Sequence, residues 1–220
     1  MLQMIKEARS RNMDISVECY PYPATQTTIE SAVYDEGWQE SFGITYEDLQ
    51  WVETGERLNA ESFARYRKSG GMVIAHSIPE DVVKSTLADS IVIIASDGLL
   101  SRGKGHPRGT GSFARVLGKY AREDEVFSLP EALRKITLMP AKRLEAIAPM
   151  MKNKGRIREG ADADITIFDP ERIIDQATYL EPAIYSTGIQ YVLVNGVILV
   201  KDGELQENLF PGKAVRGTVR

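Results

Sequence analysis

The sequence predicts an α/β protein in which helices and short strands alternate over residues 1–148 and a small all-β module follows over residues 149–220. Three short runs rich in apolar, β-branched residues are separated by stretches with apolar side chains at helical spacing. Alternation of this kind is typical of parallel βαβ units. After Pro149 the pattern changes to strand-like runs separated by glycine-containing turns, which indicates the second module.

A helix and a strand begin the chain. Apolar residues recur at helical spacing over residues 2–12, which predicts a helix that ends near Asn12. Residues 14–20 alternate apolar and polar side chains, as is typical of a strand. Pro21 and Pro23 are expected to end this strand, because proline has no N–H to donate to a central ladder.

The following segment is less regular until a capped helix and a second strand. Residues 24–54 contain both tryptophans and many acidic side chains, and a short helix is expected around residues 46–51. Asn59 is a favourable N-cap for a helix that Gly70-Gly71 would end. The apolar run 72–75 predicts the second strand.

Helices are expected on both sides of a third strand. Residues 79–87 and 112–123 carry apolar side chains at helical spacing, and the unbroken apolar run 91–95 predicts a strand buried on both faces. Ser128-Leu129-Pro130-Glu131 is typical of a helix start with proline in the first turn. Pro140 is expected to interrupt that helix.

The last third of the chain predicts a hairpin. Residues 164–168 and 191–200 are rich in β-branched side chains, and Gly160 and Asp202-Gly203 indicate turns near them. Asn195-Gly196 lies between two strand-like runs, which is the strongest short signal for a β-hairpin.

The composition excludes several classes of protein. Of 220 residues, 43% are hydrophobic and 26% are charged, as in an ordinary globular protein. The net charge of -4 argues against nucleic acid or a membrane as the main partner. Cys19 is the single cysteine, so no disulfide can form within the chain, and no run is long and apolar enough to span a bilayer. We therefore expect a cytoplasmic protein.

A carboxylate at the end of the third strand is the first candidate for chemistry. Asp97 follows the run 91–95, and sites in α/β folds form at the carboxyl ends of strands. The glycine-rich loop after it carries four basic side chains: Arg102, Lys104, His106 and Arg108. An acid followed by a cationic loop favours proton or metal chemistry on an anionic substrate. A turn-capping Asp97 with a merely solvated loop has about equal support from these residues alone.

Three short parallel strands are too few for a closed barrel, which needs about eight βα units and roughly 250 residues. The chain also begins with a helix that no strand precedes. We therefore expect it to be the C-terminal portion of a larger protein.

Six segments carry a resemblance to a known family. They are YPYPATQT, IVIIASDG, GKGHPRGTGSFARVLGKYARE, SLPEALRKITLMPAKRL, KGRIREGADADITIFDP and YSTGIQYVLVNGVILVKDG, in this order along nearly the whole chain. Together they resemble the D-aminoacylase (N-acyl-D-amino-acid deacylase) branch of the amidohydrolase superfamily. The combination is specific, whereas a single piece such as ASDG is weak evidence.

The resemblance implies a partial (β/α)8 TIM barrel, consisting of its last βα units, followed by a small β-sandwich built from both chain ends. It also implies zinc as the cofactor and a metal-bound hydroxide that cleaves the amide bond of an N-acyl-D-amino acid. Asp97 is then the general base and a metal contact. Arg108 pairs with the substrate α-carboxylate, Tyr20 donates to the developing oxyanion, and His106 is a further candidate for substrate contact.

Two features depart from the family pattern. Gln26 stands where the family usually has a serine close to the substrate, which leaves the acyl or side-chain preference open. The family's metal ligands include an HxH motif, a cysteine and later histidines, whereas this chain has only His76 and His106. We expect the isolated chain to be inactive without an N-terminal half that supplies these ligands.

Two alternatives stay open. One is that the chain is a non-catalytic fragment, whose unpaired strand edges favour a homo-oligomer or association with the N-terminal half. The other is that it belongs to a dihydropyrimidinase-like hydrolase of cyclic amides. The pairing of Arg108 with a carboxylate favours a small-molecule N-acyl amino acid over a cyclic amide.

Overall fold

The computed structural model describes residues 1–217. The helices are α1 (Leu2–Ser10), α2 (Trp38–Phe42), α3 (Ala60–Ser69), α4 (Glu80–Ala88), α5 (Arg108–Arg115), α6 (Leu129–Leu133) and α7 (Met139–Leu144). The strands are β1 (Val17–Cys19), β2 (Thr25–Thr28), β3 (Leu49–Trp51), β4 (Met72–Ala75), β5 (Val92–Ile94), β6 (Leu100–Ser101), β7 (Lys104–Gly105), β8 (Ile165–Phe168), β9 (Ile189–Val194), β10 (Val197–Lys201) and β11 (Glu204–Leu205). Among these residues, no helix combines the length and the apolar character needed to cross a bilayer.

β1 and β5 are parallel neighbours, and the candidate site lies at the end of β5. Val17 pairs with Val92, and Cys19 pairs with Ile94. Every residue of β5 is buried, because α4 and α7 both contact this strand. The strand expected over residues 91–95 is therefore confirmed.

The second predicted strand, β4, lies in a separate antiparallel sheet. It pairs with β2 on one edge and β3 on the other, so that Ile74 faces both Gln26 and Gln50. The prediction of a parallel βαβ unit for residues 72–75 is wrong, because a short buried apolar run looks the same in either kind of sheet. The short helix expected around residues 46–51 is found in part, as a 3-10 helix over Tyr46–Asp48, and the rest of that range forms β3.

The sheet of β2, β4 and β3 has one apolar face and one face that is partly polar. Successive side chains of a strand point to opposite faces, so Gln26 and Gln50 share a face with Ile74. The other face packs into an aromatic core formed by buried residues from this sheet and the helices around it: Ile29, Tyr34, Trp38, Leu49, Trp51, Leu58, Phe63, Val73 and Ala75.

The helix ends follow local signals in the sequence. The Asn59 side chain accepts a hydrogen bond from the Ser62 N–H at 2.9 Å, and Gly70 follows α3 with φ 77°, which confirms both predicted ends. Pro140 lies in the first turn of α7 without breaking the helix. The preceding segment Arg134–Leu138 is π-helical, and its wider turns leave room for the proline ring. The helix is therefore widened at Pro140 and not interrupted.

A second apolar core joins β5 to the helices that follow it. α5 continues as a π-helical segment over Val116–Glu123, and residues of this continuous helix share an apolar core with Ile94 of β5. The core consists of Val83, Leu87, Ile94, Ala114, Val116, Leu117, Tyr120, Ala132 and Ile173. This packing fixes the start of α5, where Arg108 lies, relative to the end of β5.

The strands β8 to β11 form one antiparallel sheet in the order β11-β10-β9-β8. Asn195 and Gly196 connect β9 to β10 with φ values of 48° and 80°, which confirms the predicted hairpin. In the part of the chain that the structure describes, this module is a single sheet. The second sheet expected for a β-sandwich is not found among residues 1–217. The boundary between residues 148 and 149 stays a prediction.

Candidate active site

The candidate site lies where β5 ends and α5 begins. Asp97 follows β5 with φ 46°, a left-handed conformation that Asp adopts more readily than most residues. The β6–β7 hairpin then reverses the chain and brings Gly98 against Gly109. A Cβ atom on Gly98 would lie 2.5 Å from the Cα of Gly109, so only glycine fits without a shift. This close approach brings Asp97 beside Arg108.

Asp97 and Arg108 form the central ion pair of the site. Nη2 of Arg108 lies 2.6 Å from Oδ2 of Asp97, and Nε of Arg108 donates to the main-chain carbonyl of Asp97 at 2.8 Å. The Arg108 side chain is 5% exposed, whereas the Asp97 side chain is 67% exposed. The carboxylate can therefore swing into solvent, while the guanidinium is held in place.

Tyr20 completes the cluster. The Cζ atom of Arg108 lies 4.5 Å from the centroid of the Tyr20 ring, a cation–π geometry. Burial raises the pKa of Tyr20, and the nearby charge of Arg108 partly opposes that rise. The phenol therefore stays protonated at neutral pH and is able to donate a hydrogen bond. The structure thus brings Tyr20, Asp97 and Arg108 together, as the sequence predicts for one site.

His106 lies behind Arg108 and has no exposed surface. Its Nε2 donates to the carbonyl of Ala24 at 3.0 Å, and its Nδ1 accepts the N–H of Arg108 at 3.0 Å. Burial, reinforced by the charge of Arg108, lowers the pKa of His106 to about 3. The ring is therefore neutral with both nitrogens engaged, and neither nitrogen is free for a substrate. The structure places His106 as a support of the loop that carries Arg108.

A second polar cluster lies on the other side of the YPY turn. The Tyr22 hydroxyl donates to Oδ2 of Asp175 at 3.0 Å, and Nη1 of Arg115 lies 3.1 Å from the same oxygen. Sequence reasoning missed this cluster. The second tyrosine of YPY was the available signal, whereas Asp175 lies in a polar segment with no helix or strand pattern.

Gln26 and His76 lie on the partly polar face of the β2-β4-β3 sheet. Nε2 of His76 is 3.0 Å from Oε1 of Gln50, and burial lowers the pKa of His76 to about 4. Oε1 of Gln26 is buried without a hydrogen-bond partner among the described residues, as is the Tyr179 hydroxyl. The Tyr179 ring packs edge-on against both His76 and His106. The Tyr179 ring therefore lies between this face of the sheet and the loop that carries His106.

The donor set of this chain does not form a zinc centre by itself. Within residues 1–217, no three His, Cys, Asp or Glu side chains are close enough to hold one ion together, whereas zinc sites need three or four such ligands. Asp97 is paired with a cation, and the Cys19 thiol donates to the carbonyl of Tyr20 at 3.3 Å. A zinc ion held at Asp97 would need further ligands from other residues.

Comparison with known proteins identifies relatives along nearly the whole chain. Residues 1–200 match the model of the Amidohydrolase family. An N-acyl-D-glutamate deacylase of Alcaligenes xylosoxydans xylosoxydans is 34% identical over 204 residues, which is 89% of this chain and 40% of that protein. A D-aminoacylase of the same organism is 32% identical over 219 residues, 96% of this chain and 43% of that protein.

A solved structure supports the same relationship. It is the N-acyl-D-glutamate deacylase of Bordetella bronchiseptica, complexed with zinc and a phosphonate inhibitor that mimics the tetrahedral intermediate. The superposition gives a TM-score of 0.76 at 30% identity and covers 98% of this chain and 45% of that chain. This chain therefore spans less than half the length of the relatives it matches. The resemblance seen in the sequence is confirmed, and the chain belongs to the amidohydrolase family.

Proposed function

We propose that this chain is the substrate-binding portion of a metal-dependent hydrolase that cleaves the amide bond of N-acyl-D-amino acids. The observation that carries the proposal is the cluster of Asp97, Arg108 and Tyr20 at the end of β5. It combines an exposed carboxylate, a buried guanidinium and a protonated phenol, and the guanidinium contacts both of the other groups. Such a set can bind an anion, donate to an oxyanion and move a proton.

Arg108 is proposed to bind the α-carboxylate of the substrate. Guanidinium offers five N–H donors in a planar fork that suits a carboxylate. Nε is fixed on the main-chain carbonyl of Asp97, so the fork keeps its orientation when the Asp97 carboxylate leaves. We expect the substrate carboxylate to take the place of the Asp97 side chain at Nη2. This exchange frees Asp97 to take a proton from the attacking water, as general base, and then to give it to the leaving amine.

Tyr20 is proposed to donate its hydroxyl proton in a hydrogen bond to the developing oxyanion. His106, first a candidate for substrate contact, is now proposed to act through Arg108, because its two ring nitrogens fix the loop before α5. Gln26 is proposed to border the substrate side chain.

Zinc is the proposed cofactor, with Asp97 as the contact from this chain. Zinc in such enzymes polarises a carbonyl and lowers the pKa of bound water. The remaining ligands would come from the portion of the relatives' length that this chain does not span. In that assembly β1 and β5 are proposed as the last strands of a partial (β/α)8 barrel. We further propose that the protein works in the cytoplasm.

The test joins or co-expresses this chain with the N-terminal portion of the Alcaligenes N-acyl-D-glutamate deacylase and measures release of free amino acid. We expect hydrolysis of N-acetyl-D-glutamate, loss of activity with a chelator, recovery with zinc, and no hydrolysis of the L-enantiomer. The isolated chain should be inactive. Absence of hydrolysis of every N-acyl-D-amino acid by a folded assembly would contradict the proposal, and turnover of a cyclic amide would favour the dihydropyrimidinase-like alternative.

A non-catalytic role is the second candidate. It is favoured by the missing donor set within residues 1–217 and by the outer edges of β1 and β5, which have no strand partner in the described residues. Unpaired edges favour pairing with a second copy or with another part of the enzyme. Sedimentation of the isolated chain separates the two cases, because a stable homo-oligomer supports the non-catalytic role and a monomer that associates with the N-terminal portion supports the enzyme.

A further inference from the structure

We propose that Asp175, in the segment between β8 and β9, is a positioning residue that fixes the Tyr20 and Arg108 side chains relative to each other. The catalytic meaning of this inference rests on the proposed function. The geometry that supports it does not, since it consists of contacts within this chain.

Asp175 is a buried anion with two partners. Its side chain is 5% exposed, and its Oδ2 atom accepts from the Tyr22 hydroxyl at 3.0 Å and from Nη1 of Arg115 at 3.1 Å. A buried carboxylate is stable only while its charge is matched and its lone pairs are satisfied. Both partners are therefore held firmly by this one residue.

The first connection runs through Arg115 to Tyr20. Nε of Arg115 donates to the carbonyl of Pro21 at 2.9 Å, and Pro21 is the residue directly after Tyr20. The Cζ atom of Arg115 also lies 4.7 Å from the centroid of the Tyr22 ring. The guanidinium that Asp175 orients thus fixes the main chain of the YPY turn from which the Tyr20 ring projects.

The second connection runs through Tyr22 to Arg108. The Tyr22 hydroxyl lies 3.4 Å from the carbonyl oxygen of Pro107, and its ring centroid is 5.2 Å from that of His106. His106 in turn accepts the main-chain N–H of Arg108. Asp175 therefore reaches both partners of the cation–π pair: Tyr20 through the Arg115 side chain, and Arg108 through the side chains of Tyr22 and His106.

Gly111 shows how closely these groups approach. A Cβ atom at this position would overlap the Tyr22 hydroxyl and lie 2.8 Å from the Cβ of Asp175. Gly111 has an ordinary helical conformation, so alanine there would act by steric contact alone. The substitution Gly111→Ala therefore separates Tyr22 from Asp175 without changing either residue.

The segment that carries Asp175 has other attachments. Oγ1 of Thr110 donates to the carbonyl of Pro182 at 2.7 Å, and Nε2 of Gln50 donates to the carbonyl of Tyr179 at 3.1 Å. Removing the Asp175 carboxylate therefore leaves the segment attached, and its effect on the site can be measured in folded protein.

The experiment records the ¹⁵N-resolved NMR signal of the Arg108 Nε–Hε group in this chain. In the wild type, we expect a signal displaced by the Tyr20 ring and protected from exchange by the carbonyl of Asp97. Asp175→Ala and Gly111→Ala should abolish the displacement and speed the exchange. Asp175→Asn, which keeps an acceptor for Tyr22 but removes the charge, should give an intermediate effect.

Two matched substitutions serve as controls. Glu171→Gln changes an exposed acid of the same segment, and Gly212→Ala adds a Cβ where nothing lies within 4 Å. Both should leave the Arg108 signal unchanged. An unchanged Arg108 signal in folded Gly111→Ala and Asp175→Asn would overturn the inference, even if both variants were less stable, because it would show that Asp175 is purely structural.

Titration with N-acetyl-D-glutamate on the same signal distinguishes this inference from the proposed function. In one outcome, the ligand does not change the wild-type Arg108 signal, whereas the Asp175 and Gly111 substitutions do change it. The substrate role of Arg108 then fails, and the positioning inference stands. If the ligand moves the wild-type signal and the variants behave like the wild type, the positioning inference fails and the substrate role stands.

Discussion

Burial divides the ionisable side chains of the site into those that can react and those that support them. The Asp97 carboxylate is mostly exposed and has one cationic partner, so it can exchange that partner for another. His106 is fully buried and neutral, with both nitrogens engaged, so its contribution is to hold the loop. Arg108 combines both properties, because its fixed Nε orients a fork whose other nitrogens can bind an anion.

The stability of the protein should fall as the pH decreases below neutral because of His106. The pKa of His106 is lowered from 6.5 to about 3 in the folded chain. Between these values the unfolded chain holds a proton that the folded chain does not, so the free energy of unfolding falls by roughly 1.4 kcal/mol per pH unit per such group. Urea denaturation at pH 7, 6 and 5 measures this slope.

A comparison with His106→Gln isolates the contribution of this ring. The variant should be less stable at pH 7, since it loses a hydrogen bond, and its stability should depend less on pH between 7 and 5. An equal slope in both proteins would show that His106 is not the source of the acid sensitivity. Measurement above pH 5 keeps most carboxylates outside their titration range.

Two tyrosines offer a matched pair of hydroxyl deletions. The Tyr179 hydroxyl is buried with no partner among the described residues, whereas the Tyr22 hydroxyl donates to Asp175. An unsatisfied buried polar group destabilises the fold, so Tyr179→Phe should raise the free energy of unfolding by about 1 kcal/mol. Tyr22→Phe should lower it by about 2 kcal/mol. If urea denaturation showed that both substitutions lower the free energy of unfolding equally, the Tyr179 hydroxyl would have to have a hydrogen-bond partner.

At the scale of elements, the loop between β5 and α5 is closed by a contact between two glycines. Gly98→Ala should force Gly98 and Gly109 apart and weaken the bond between Asp97 and Arg108, because the added Cβ would lie 2.5 Å from the Gly109 Cα. We expect a loss of stability of about 2 kcal/mol and faster hydrogen exchange at the Arg108 Nε–Hε group.

Gly103→Ala is the control in the same loop. This glycine has φ 74° and open space around it, so alanine there costs only backbone strain of about 1 kcal/mol and leaves the Arg108 signal in place. If Gly98→Ala behaved like Gly103→Ala in both measurements, the contact between the loop ends would not position the ion pair.

Elements defined by local signals were predictable from the sequence, and their partners were not. The N-cap Asn59, the terminating Gly70 and the Asn195-Gly196 turn each act within a few residues, and the structure confirms all three. The pairing of β4 depends instead on β2 and β3. These strands are short and carry polar residues such as Gln26 and Gln50, so the sequence offers no periodicity that would reveal them.

At the scale of the whole molecule, metal should not stabilise the isolated chain. The described residues hold no group of three suitable ligands, and a ligand stabilises a fold only in proportion to its binding. We expect the melting temperature of the isolated chain to be the same with EDTA and with added zinc, while the assembled enzyme loses activity with EDTA. A zinc-dependent rise in the melting temperature of the isolated chain would contradict this.

The residues of the site differ in how far the sequence could predict them. Asp97, Arg108 and Tyr20 occur in motifs with a clear position at strand ends or in a loop, and the structure brings them together. Asp175 was not predictable, because its role depends on the segment before β9 folding back onto α5. No local pattern reports a contact between parts of the chain so far apart in sequence.

One of the two bonds from the Arg108 side chain to Asp97 goes to the main-chain carbonyl, and no substitution of Asp97 removes a carbonyl. We therefore expect an Asp97→Ala form of the proposed assembled enzyme to lose the proposed proton transfer and to keep the Arg108 guanidinium aligned. Crystals of that form, soaked with an acylated amino acid, offer a way to capture the uncleaved molecule and to read its handedness and side chain directly from electron density.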